Sequence, residues 1–276
     1  MSITSMINAK KRKFDEYYTQ YGDIEKEMQY YTEYFKDKIV YCNCDSENSN
    51  FVKYFRNNFE KLGLKDLWYS ILDMKTGKGS FDSEDSVEKL KKADIIATNP
   101  PFSMFREYID LIAKYNKKFI VIGNPSAICY LNVFNYIKNN YIWLGHKSIN
   151  KVLYFNTTEE EQERLVRETK KNSAYVIKGD NVLARVMSCW YTNIGKRHYI
   201  ELEFSEKEME YKRYDNYDAI NVDKLVDIPN LDDLNIGVPI TFMEYYNPDK
   251  FEIVDLLRTP VIDGKTIFKR IIIRIK

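Results

Sequence analysis

Apolar and polar positions alternate in blocks along the first 150 residues of the chain. Short apolar runs, each followed by a polar or Gly/Pro-containing segment, are typical of buried strands. The stretches between them carry apolar residues every three or four positions, which is the spacing of an amphipathic helix. The predicted strands span 38–44, 67–72, 93–98, 118–123 and 141–144. The predicted helices span 9–38, 51–62, 87–92, 105–115 and 127–138.

This order of strands and helices predicts an α/β fold built on a mostly parallel sheet with helices on both faces. The pattern changes after residue 155, where residues 156–175 indicate a charged, solvated helical insertion. Two further strands, 184–191 and 197–204, are joined by a Gly-containing turn and are predicted to close the sheet as an antiparallel hairpin. We therefore assign residues 1–204 to a main domain and residues 205–276 to a small α+β module.

Polar segments follow three of the predicted strands. Residues 45–50 follow the first strand, residues 73–85 follow the second, and the sequence Asn-Pro-Pro-Phe at 99–102 follows the third. Ligands of parallel α/β sheets bind beyond the carboxyl ends of the strands. We therefore expect the functional site at the edge where these three segments meet.

The segment Asn99-Pro100-Pro101-Phe102 suggests a specific chemistry. The side-chain carbonyl of Asn99 and the backbone carbonyl of Pro100 can accept both N–H bonds of an exocyclic amino group on a base. The proline rings would hold these acceptors rigidly, and Phe102 would stack on the base, a contact of about 1–3 kcal/mol. A base inside a duplex must first be flipped out. Taken alone, the four residues also fit a strand that ends in a tight Asn-Pro turn.

Composition narrows the class of protein without fixing its chemistry. The 276 residues are 44% apolar, which is enough for a core, and no apolar run approaches membrane-spanning length. The first residues lack the apolar stretch of a signal peptide, so we expect a soluble, cytoplasmic protein. A net charge of +1 neither requires nor excludes a nucleic-acid partner. Four cysteines and two histidines in poor zinc-ligand spacing predict buried free thiols and no metal site.

Several segments together resemble a known family. They are 14–19 (FDEYYT), 23–25 (DIE), 38–45 (KIVYCNCD), 93–108 (ADIIATNPPFSMFREY), 237–242 (GVPITF) and 246–248 (YNP). Spread over nearly the whole chain, they resemble the EcoRI-type adenine-specific DNA methyltransferases. The resemblance implies a Rossmann-like fold that uses S-adenosylmethionine. It also implies double-stranded DNA as the substrate and methyl transfer to N6 of a flipped-out adenine.

The resemblance also implies roles for individual residues. The four residues Asn99, Pro100, Pro101 and Phe102 would hold the flipped adenine. Tyr18 and Thr19 would lie near the methionine part of the cofactor. Four residues at the end of the first strand would line the cofactor: Cys42, Asn43, Cys44 and Asp45. Because the cofactor segments precede Asn-Pro-Pro-Phe, target recognition is expected in the carboxyl-terminal module.

The sequence departs from the usual methyltransferase pattern at the cofactor site. It has no Gly-rich loop of the Asp-x-Phe-x-Gly-x-Gly type, and Asp73 is the candidate for the ribose hydroxyls at the end of the second strand. Ser80 occupies the position where such enzymes often carry an Asp that contacts the cofactor adenine. Asp82 can replace that carboxylate, and Phe81 can stack on the adenine ring.

Other interpretations stay open at this point. The acceptor can be RNA or a protein amide, or the chain can be a non-catalytic DNA-binding relative; Asn99 argues against cytosine N4 as the acceptor. Phe81 also fits a core position, and Asp45 fits a helix cap. The basic residues 269–276 fit either a phosphate contact or an edge strand guarded by lysine. We expect a monomer, accompanied by a restriction endonuclease without direct contact or acting alone.

Overall fold

The computed structural model describes residues 17–70, 79–206 and 209–276. These residues form two compact units. The first unit contains the described residues up to Pro125 together with Gly145–Lys196. The second unit contains Ser126–Leu144 and Arg197–Lys276.

The described residues contain both strands and helices, as predicted for an α/β protein. In chain order the strands are β1 (Tyr18–Thr19), β2 (Ile39–Cys42), β3 (Asp66–Tyr69), β4 (Ile95–Thr98), β5 (Lys118–Gly123), β6 (Trp143–Leu144), β7 (Val152–Asn156), β8 (Tyr175–Lys178), β9 (Asn181–Met187), β10 (Cys189–Thr192), β11 (Arg213–Tyr214), β12 (Tyr217–Asn221), β13 (Ile236–Val238), β14 (Phe251–Leu257), β15 (Val261–Ile262), β16 (Lys265–Thr266) and β17 (Arg270–Ile275). The α-helices are α1 (Tyr21–Met28), α2 (Asn50–Asn57), α3 (Phe59–Leu62), α4 (Glu84–Lys92), α5 (Phe105–Lys114), α6 (Leu131–Lys138) and α7 (Glu159–Glu168). Single 3-10 turns cover Thr32–Tyr34, Phe102–Met104, Pro125–Cys129, Leu225–Asp227 and Ile240–Glu244.

The central sheet of the first unit orders four parallel strands as β3-β2-β4-β5. The strand β10 then pairs antiparallel with β5. The residues of β4 and nearly all of β2 and β5 are buried, in keeping with their apolar sequences. Because β2 and β4 are parallel neighbours, Cys42 and Thr98 end at the same edge of the sheet.

Local signals explain the helices that flank this sheet. The Ser49 side chain accepts a hydrogen bond from Val52 N and caps α2. Gly63 follows α3 in the left-handed conformation with φ of 63°, as expected of a glycine that stops a helix. The apolar faces of α1 and α2 pack into the core of the first unit, with Ile24 and Phe55 fully buried.

The first predicted helix and the predicted closing hairpin are wrong in the described residues. Within 9–38, residues 18–19 form a strand that pairs with β7, and only α1 and a 3-10 turn are helical. Residues 184–191 contain parts of two strands in two sheets, because β9 pairs with β7 and β8 whereas β10 pairs with β5. Residues 197–204 form no strand. Their alternating pattern finds no neighbouring strand with which to form a ladder.

The second sheet of the first unit is antiparallel, in the order β1-β7-β9-β8. The helix of the predicted charged insertion, α7, lies in the connection between β7 and β8. Thr158 caps α7 by accepting a hydrogen bond from Glu161 N, and Leu165 is its buried apolar contact. The pairing of Tyr18 with Asn156 holds β1 against β7.

The second unit contains a sheet in the order β11-β12-β13-β17-β14. The edge-strand interpretation of residues 269–276 is wrong, because β17 lies between β13 and β14. The isoleucines of β17 are buried, which explains why apolar residues stand between its basic residues. A short hairpin, β15–β16, turns at Asp263 and Gly264, whose φ values of 51° and 71° suit a tight two-residue turn. No helix in the part of the chain that the structure describes is long and apolar enough to cross a membrane.

Candidate active site

The segment Asn99–Phe102 follows directly on the buried strand β4. The two prolines end the ladder because proline has no N–H to donate. Pro101 O accepts a hydrogen bond from Met104 N at 3.0 Å and so starts a 3-10 turn. Among the described residues, no backbone hydrogen bond uses the carbonyl of Pro100.

The side chain of Asn99 is fixed in one orientation. Its Nδ2 donates to the backbone carbonyl of Tyr17 at 2.7 Å. Its Oδ1 is buried and accepts no hydrogen bond from the described residues. A buried carbonyl without a donor costs free energy, and native proteins seldom retain one without a reason. The geometry therefore leaves one acceptor atom ready for an N–H from a ligand.

Phe102 belongs to a small aromatic cluster beside Asn99. Its ring centroid lies 6.0 Å from that of Tyr17 and 6.3 Å from that of Phe155, and Tyr17 and Phe155 are 5.6 Å apart. Phe155 is fully buried, whereas Phe102 keeps part of its surface exposed. The cluster thus holds the Phe102 ring against a buried neighbour and leaves part of it available for contact.

Asp45 connects the ends of β2 and β4. The hydroxyl of Thr98, the last residue of β4, donates to its carboxylate, and the Ser49 hydroxyl and the Asn99 backbone N–H also donate to it. Burial raises the pKa of Asp45 to about 6, and these three hydrogen bonds oppose the rise. The carboxylate predicted to line a cofactor is therefore adjacent to the predicted catalytic asparagine.

Tyr18 and Thr19 lie in β1, close to the start of α2. The Asn50 side chain donates to Thr19 O at 2.7 Å, which ties β1 to the helix that follows Asp45. Thr19 is buried, and its Oγ1 accepts or donates no hydrogen bond within the described residues. Tyr18 is 48% exposed, so its ring is accessible to a ligand.

Cys42 and Asn43 are fully buried at the end of β2, and Cys44 is partly exposed. Burial raises the pKa of the Cys42 thiol well above its usual range, so this cysteine stays neutral and acts as a packing residue. The Tyr108 hydroxyl donates to Asn43 Oδ1. Asn43 Nδ2 has no partner among the described residues and is a second buried polar atom near this edge.

The segment Ser80–Asp82 reaches the same edge through Tyr108. The Phe81 ring packs edge-on against Tyr108 with centroids 5.1 Å apart, and Phe81 is almost fully buried. The Ser80 hydroxyl donates to the Asp82 carboxylate. Ser80 therefore orients the residue that was predicted to supply the carboxylate missing at position 80. Asp73, the candidate for the ribose, lies outside the described residues.

Sequence reasoning missed the residues that hold this site together. Tyr17 supplies both the carbonyl that orients Asn99 and a ring of the aromatic cluster, although 82 positions separate the two residues. Tyr108 contacts both Asn43 and Phe81. The position of Tyr17 directly before Tyr18 and Thr19 was the one available signal, because it extends a segment already predicted to contact a ligand. No group of His, Cys, Asp or Glu in the described ranges is arranged to hold a metal ion.

Comparison with known proteins identifies the relatives of this chain. The family model described as "Adenine-specific methyltransferase EcoRI" matches residues 5–74 and 69–275. The Type II methyltransferase M.EcoRI of Escherichia coli is 40% identical, and the match covers 97% of this chain and 95% of the relative. The Type II methyltransferases M.MgeORF184P of Mycoplasma genitalium and M.MpnI of Mycoplasma pneumoniae are 37% and 35% identical, each over 91% of this chain, covering 86% and 85% of their own lengths. No solved structure matches significantly.

These matches and the α/β fold define the chain as a methyltransferase. It belongs to the EcoRI family of adenine-specific methyltransferases.

Proposed function

We propose that this protein transfers a methyl group from S-adenosylmethionine to N6 of an adenine that has been flipped out of double-stranded DNA. The observation that carries the proposal is the orientation of Asn99. Because its Nδ2 is engaged by Tyr17 O, its buried and unpartnered Oδ1 is the atom left for a ligand. An adenine amino group supplies the N–H that this oxygen lacks.

The surroundings of Asn99 fit the rest of an adenine. The Pro100 carbonyl is the candidate acceptor for the second N–H of the amino group. The partly exposed Phe102 ring is the candidate for stacking on the face of the base, a contact of about 1–3 kcal/mol. Together these groups would compensate for the few kcal/mol that flipping the nucleotide costs.

The residues beside Asn99 fit S-adenosylmethionine. The cofactor has a cationic amino-acid end, and Asp45 offers a carboxylate at the shared edge of β2 and β4. Thr19 Oγ1 and Asn43 Nδ2 are buried polar atoms that need partners. Asp82, oriented by Ser80, is a candidate acceptor for the amino group of the cofactor adenine, near Phe81. When bound, the cofactor would supply an activated methyl group.

The chain would promote transfer mainly by preorganisation. The adenine lone pair is delocalised into the ring, and the acceptors at Asn99 and Pro100 would draw on the two N–H bonds and make the nitrogen more nucleophilic. N6 would form its new bond to the methyl carbon in exchange for the bond from that carbon to sulfur, whose electron pair would leave with S-adenosylhomocysteine. One N6 proton is then lost to solvent. No strong base is required, because that proton becomes acidic once the methyl group is attached.

The parallel strands β3-β2-β4-β5 support a Rossmann-like cofactor domain, which we assign to residues 1–204 without the stretches 126–144 and 197–204, because these belong to the second compact unit. We assign target recognition to residues 205–276, the module that follows the catalytic motif in the sequence. We propose that the enzyme acts in the cytoplasm as a monomer. A restriction endonuclease of the same specificity would share its DNA site without binding to it.

The test is methyl transfer from tritiated S-adenosylmethionine to DNA, RNA and protein offered in parallel. Wild type should label DNA alone, and Asn99→Ala should lower turnover by about 10²–10³-fold, the usual effect of removing one preorganised polar group. Asn57→Ala, which alters an exposed asparagine at the last position of α2, is the matched control and should retain full activity. Binding of S-adenosylhomocysteine to Asn99→Ala, measured by calorimetry, should stay near the wild-type value. Labelling of RNA or protein in place of DNA would overturn the proposed substrate.

A further inference from the structure

A phenylalanine of the second unit is almost fully exposed. Phe268 has 88% of its surface exposed, more than any other large hydrophobic residue for which exposure is described. Single exposed hydrophobic residues are common on proteins and need no explanation by themselves. The charges around Phe268 and the way in which its backbone is held set this residue apart.

Phe268 lies in the second unit, in the stretch that connects β16 to β17. The pairing of β14 with β17 and that of β15 with β16 are separated by the stretches 258–260 and 267–269. Because the two stretches have the same length, Arg258 lies opposite Lys269. Two cationic residues are therefore paired in register, and one of them follows Phe268 directly in the sequence.

The sequence places two cations, Arg258 and Lys269, around this position. Arg258 and Lys269 are exposed, and neither forms an ion pair within the described residues. Both charges act on the Cys129 thiol, where they oppose the rise in its pKa that burial causes. Asp263, the acid in the adjacent turn, is engaged by Lys212 at 2.5 Å.

The backbone that carries Phe268 is firmly held. The buried guanidinium of Arg270 donates to Phe268 O at 2.9 Å, to Asn221 Oδ1 at 3.2 Å and to Asp223 Oδ1 at 2.6 Å. The exposed ring therefore belongs to an anchored segment. Because the backbone at Phe268 is already held, little backbone freedom is lost when the ring binds a partner, and more of its contact energy is retained as affinity.

We propose that Phe268, Arg258 and Lys269 form a DNA contact of the second unit. In this contact the two cations bind backbone phosphates, and the phenyl ring enters a groove and packs on the bases. The proposal rests on the function proposed above and names the surface that would bind the duplex. Phenylalanine is one of the residues that proteins insert at base steps, and neighbouring lysines and arginines supply the phosphate contacts. Uncompensated cations favour a polyanion over an apolar protein partner, because the cores of protein interfaces are depleted of charge.

The experiment measures binding of the full-length protein to a pool of short fluorescein-labelled duplexes of random sequence, by anisotropy over a range of salt concentrations. Phe268→Ala should weaken binding by roughly fivefold or more, and Phe268→Trp should restore it, since either ring can stack on a base. Lys269→Ala should reduce the slope of log affinity against log salt by about 0.9, and Lys269→Arg should preserve the slope. Phe268→Ala should leave the slope unchanged.

Leu231→Ala is the matched control. Leu231 is 49% exposed and precedes β13, whose first residue pairs with Ile273, towards the end of β17 remote from Phe268. It should bind DNA as wild type does. Methyl transfer to the same DNA, measured in parallel, separates the two proposals.

Equal binding by wild type and Phe268→Ala would overturn this inference and leave the proposed reaction intact. Binding without methyl transfer would overturn the proposed reaction, and the Phe268 comparison would still decide this inference. Absence of any DNA binding by wild type would overturn both. A change from dimer to monomer in Phe268→Ala, with unchanged DNA affinity, would identify the ring as a contact between copies of the chain and contradict the inference.

Discussion

Replacing Asp45 with asparagine should make the unligated protein more stable and its cofactor binding weaker. Asp45 accepts hydrogen bonds from Thr98, Ser49 and the Asn99 backbone, but burial still raises its pKa from 3.8 to about 6. A carboxylate with a raised pKa is destabilised in the folded state, because folding removes water that solvates its charge. We propose that the charge is retained because it binds the cationic end of the cofactor. The unligated protein should therefore be more stable without it.

The size of the effect follows from the shift in pKa. A rise from 3.8 to about 6 corresponds to about 3 kcal/mol at a pH where the group is ionised. Asp45 keeps some contact with solvent, which lowers this figure. In the asparagine side chain an N–H donor replaces one acceptor oxygen, and the loss of that hydrogen bond lowers the free energy of unfolding by about 1 kcal/mol. We expect Asp45→Asn to raise the free energy of unfolding by about 1–2 kcal/mol near pH 8, where the wild-type carboxylate is ionised.

The pH dependence has a definite sign. The folded protein binds the Asp45 proton more tightly than the unfolded chain, since its folded pKa of about 6 exceeds the ordinary 3.8. The stability contributed by the protonated form is therefore complete below pH 3.8 and is lost as the pH rises through about 6. The free energy of unfolding of the asparagine variant does not fall in this way. Its excess over the wild-type value should therefore vanish near pH 4 and reach its full size near pH 8.

Urea unfolding of the two proteins across this pH range measures the difference directly. Asp180→Asn, in the exposed turn between β8 and β9, is the control for the same chemical change at the surface. Calorimetry should show weaker binding of S-adenosylhomocysteine to Asp45→Asn. A stability difference that does not change with pH would refute the electrostatic reasoning, and unchanged cofactor binding would refute the assigned role.

Three further substitutions test other parts of the account. Phe102→Ala should raise the KM for DNA more than the Kd for S-adenosylhomocysteine. An equal rise in both constants would mean that Phe102 only packs against its neighbours. Thr19→Val removes the unpartnered buried hydroxyl at almost constant shape, so it should leave the unligated protein as stable or up to about 1 kcal/mol more stable by urea unfolding and weaken cofactor binding. A Cβ on Gly145 would lie 2.2 Å from Glu27 Oε1 and 2.7 Å from Trp190 Cβ, so Gly145→Ala should destabilise the protein by about 1–3 kcal/mol in urea unfolding. A wild-type midpoint for Gly145→Ala would mean that this contact can relax.

The sequence predicted the parallel part of the central sheet because each strand there is a continuous apolar run with a clear stop. The two prolines after β4 end its ladder wherever the strand lies in the sheet. The polar residues after β2 and β4 likewise meet at one edge as a geometric result of parallel pairing. Parallel pairing is therefore the reason why the sequence alone predicts that Asp45 and Asn99 lie close together.

The antiparallel elements were harder to predict because their partners are set by tertiary context. Residues 197–204 alternate like a strand but pair with none, and 184–191 divides between two sheets. The orientation of Asn99 depends on a carbonyl that lies 82 positions earlier, in Tyr17. Neither local spacing nor composition encodes that contact. The motif therefore suggested the Asn99 side-chain carbonyl as an acceptor, but the hydrogen bond that orients this side chain was not predictable.

Single-molecule sequencing of genomic DNA from cells that express wild type or Asn99→Ala is the most direct test of the central claim. We expect N6-methyladenine at one short sequence motif in the wild-type sample and none at that motif in the Asn99→Ala sample. The same modification in both samples would contradict the role of Asn99. Unmodified DNA in both samples, from a folded protein that binds S-adenosylhomocysteine, would contradict the claim that DNA adenine is the acceptor.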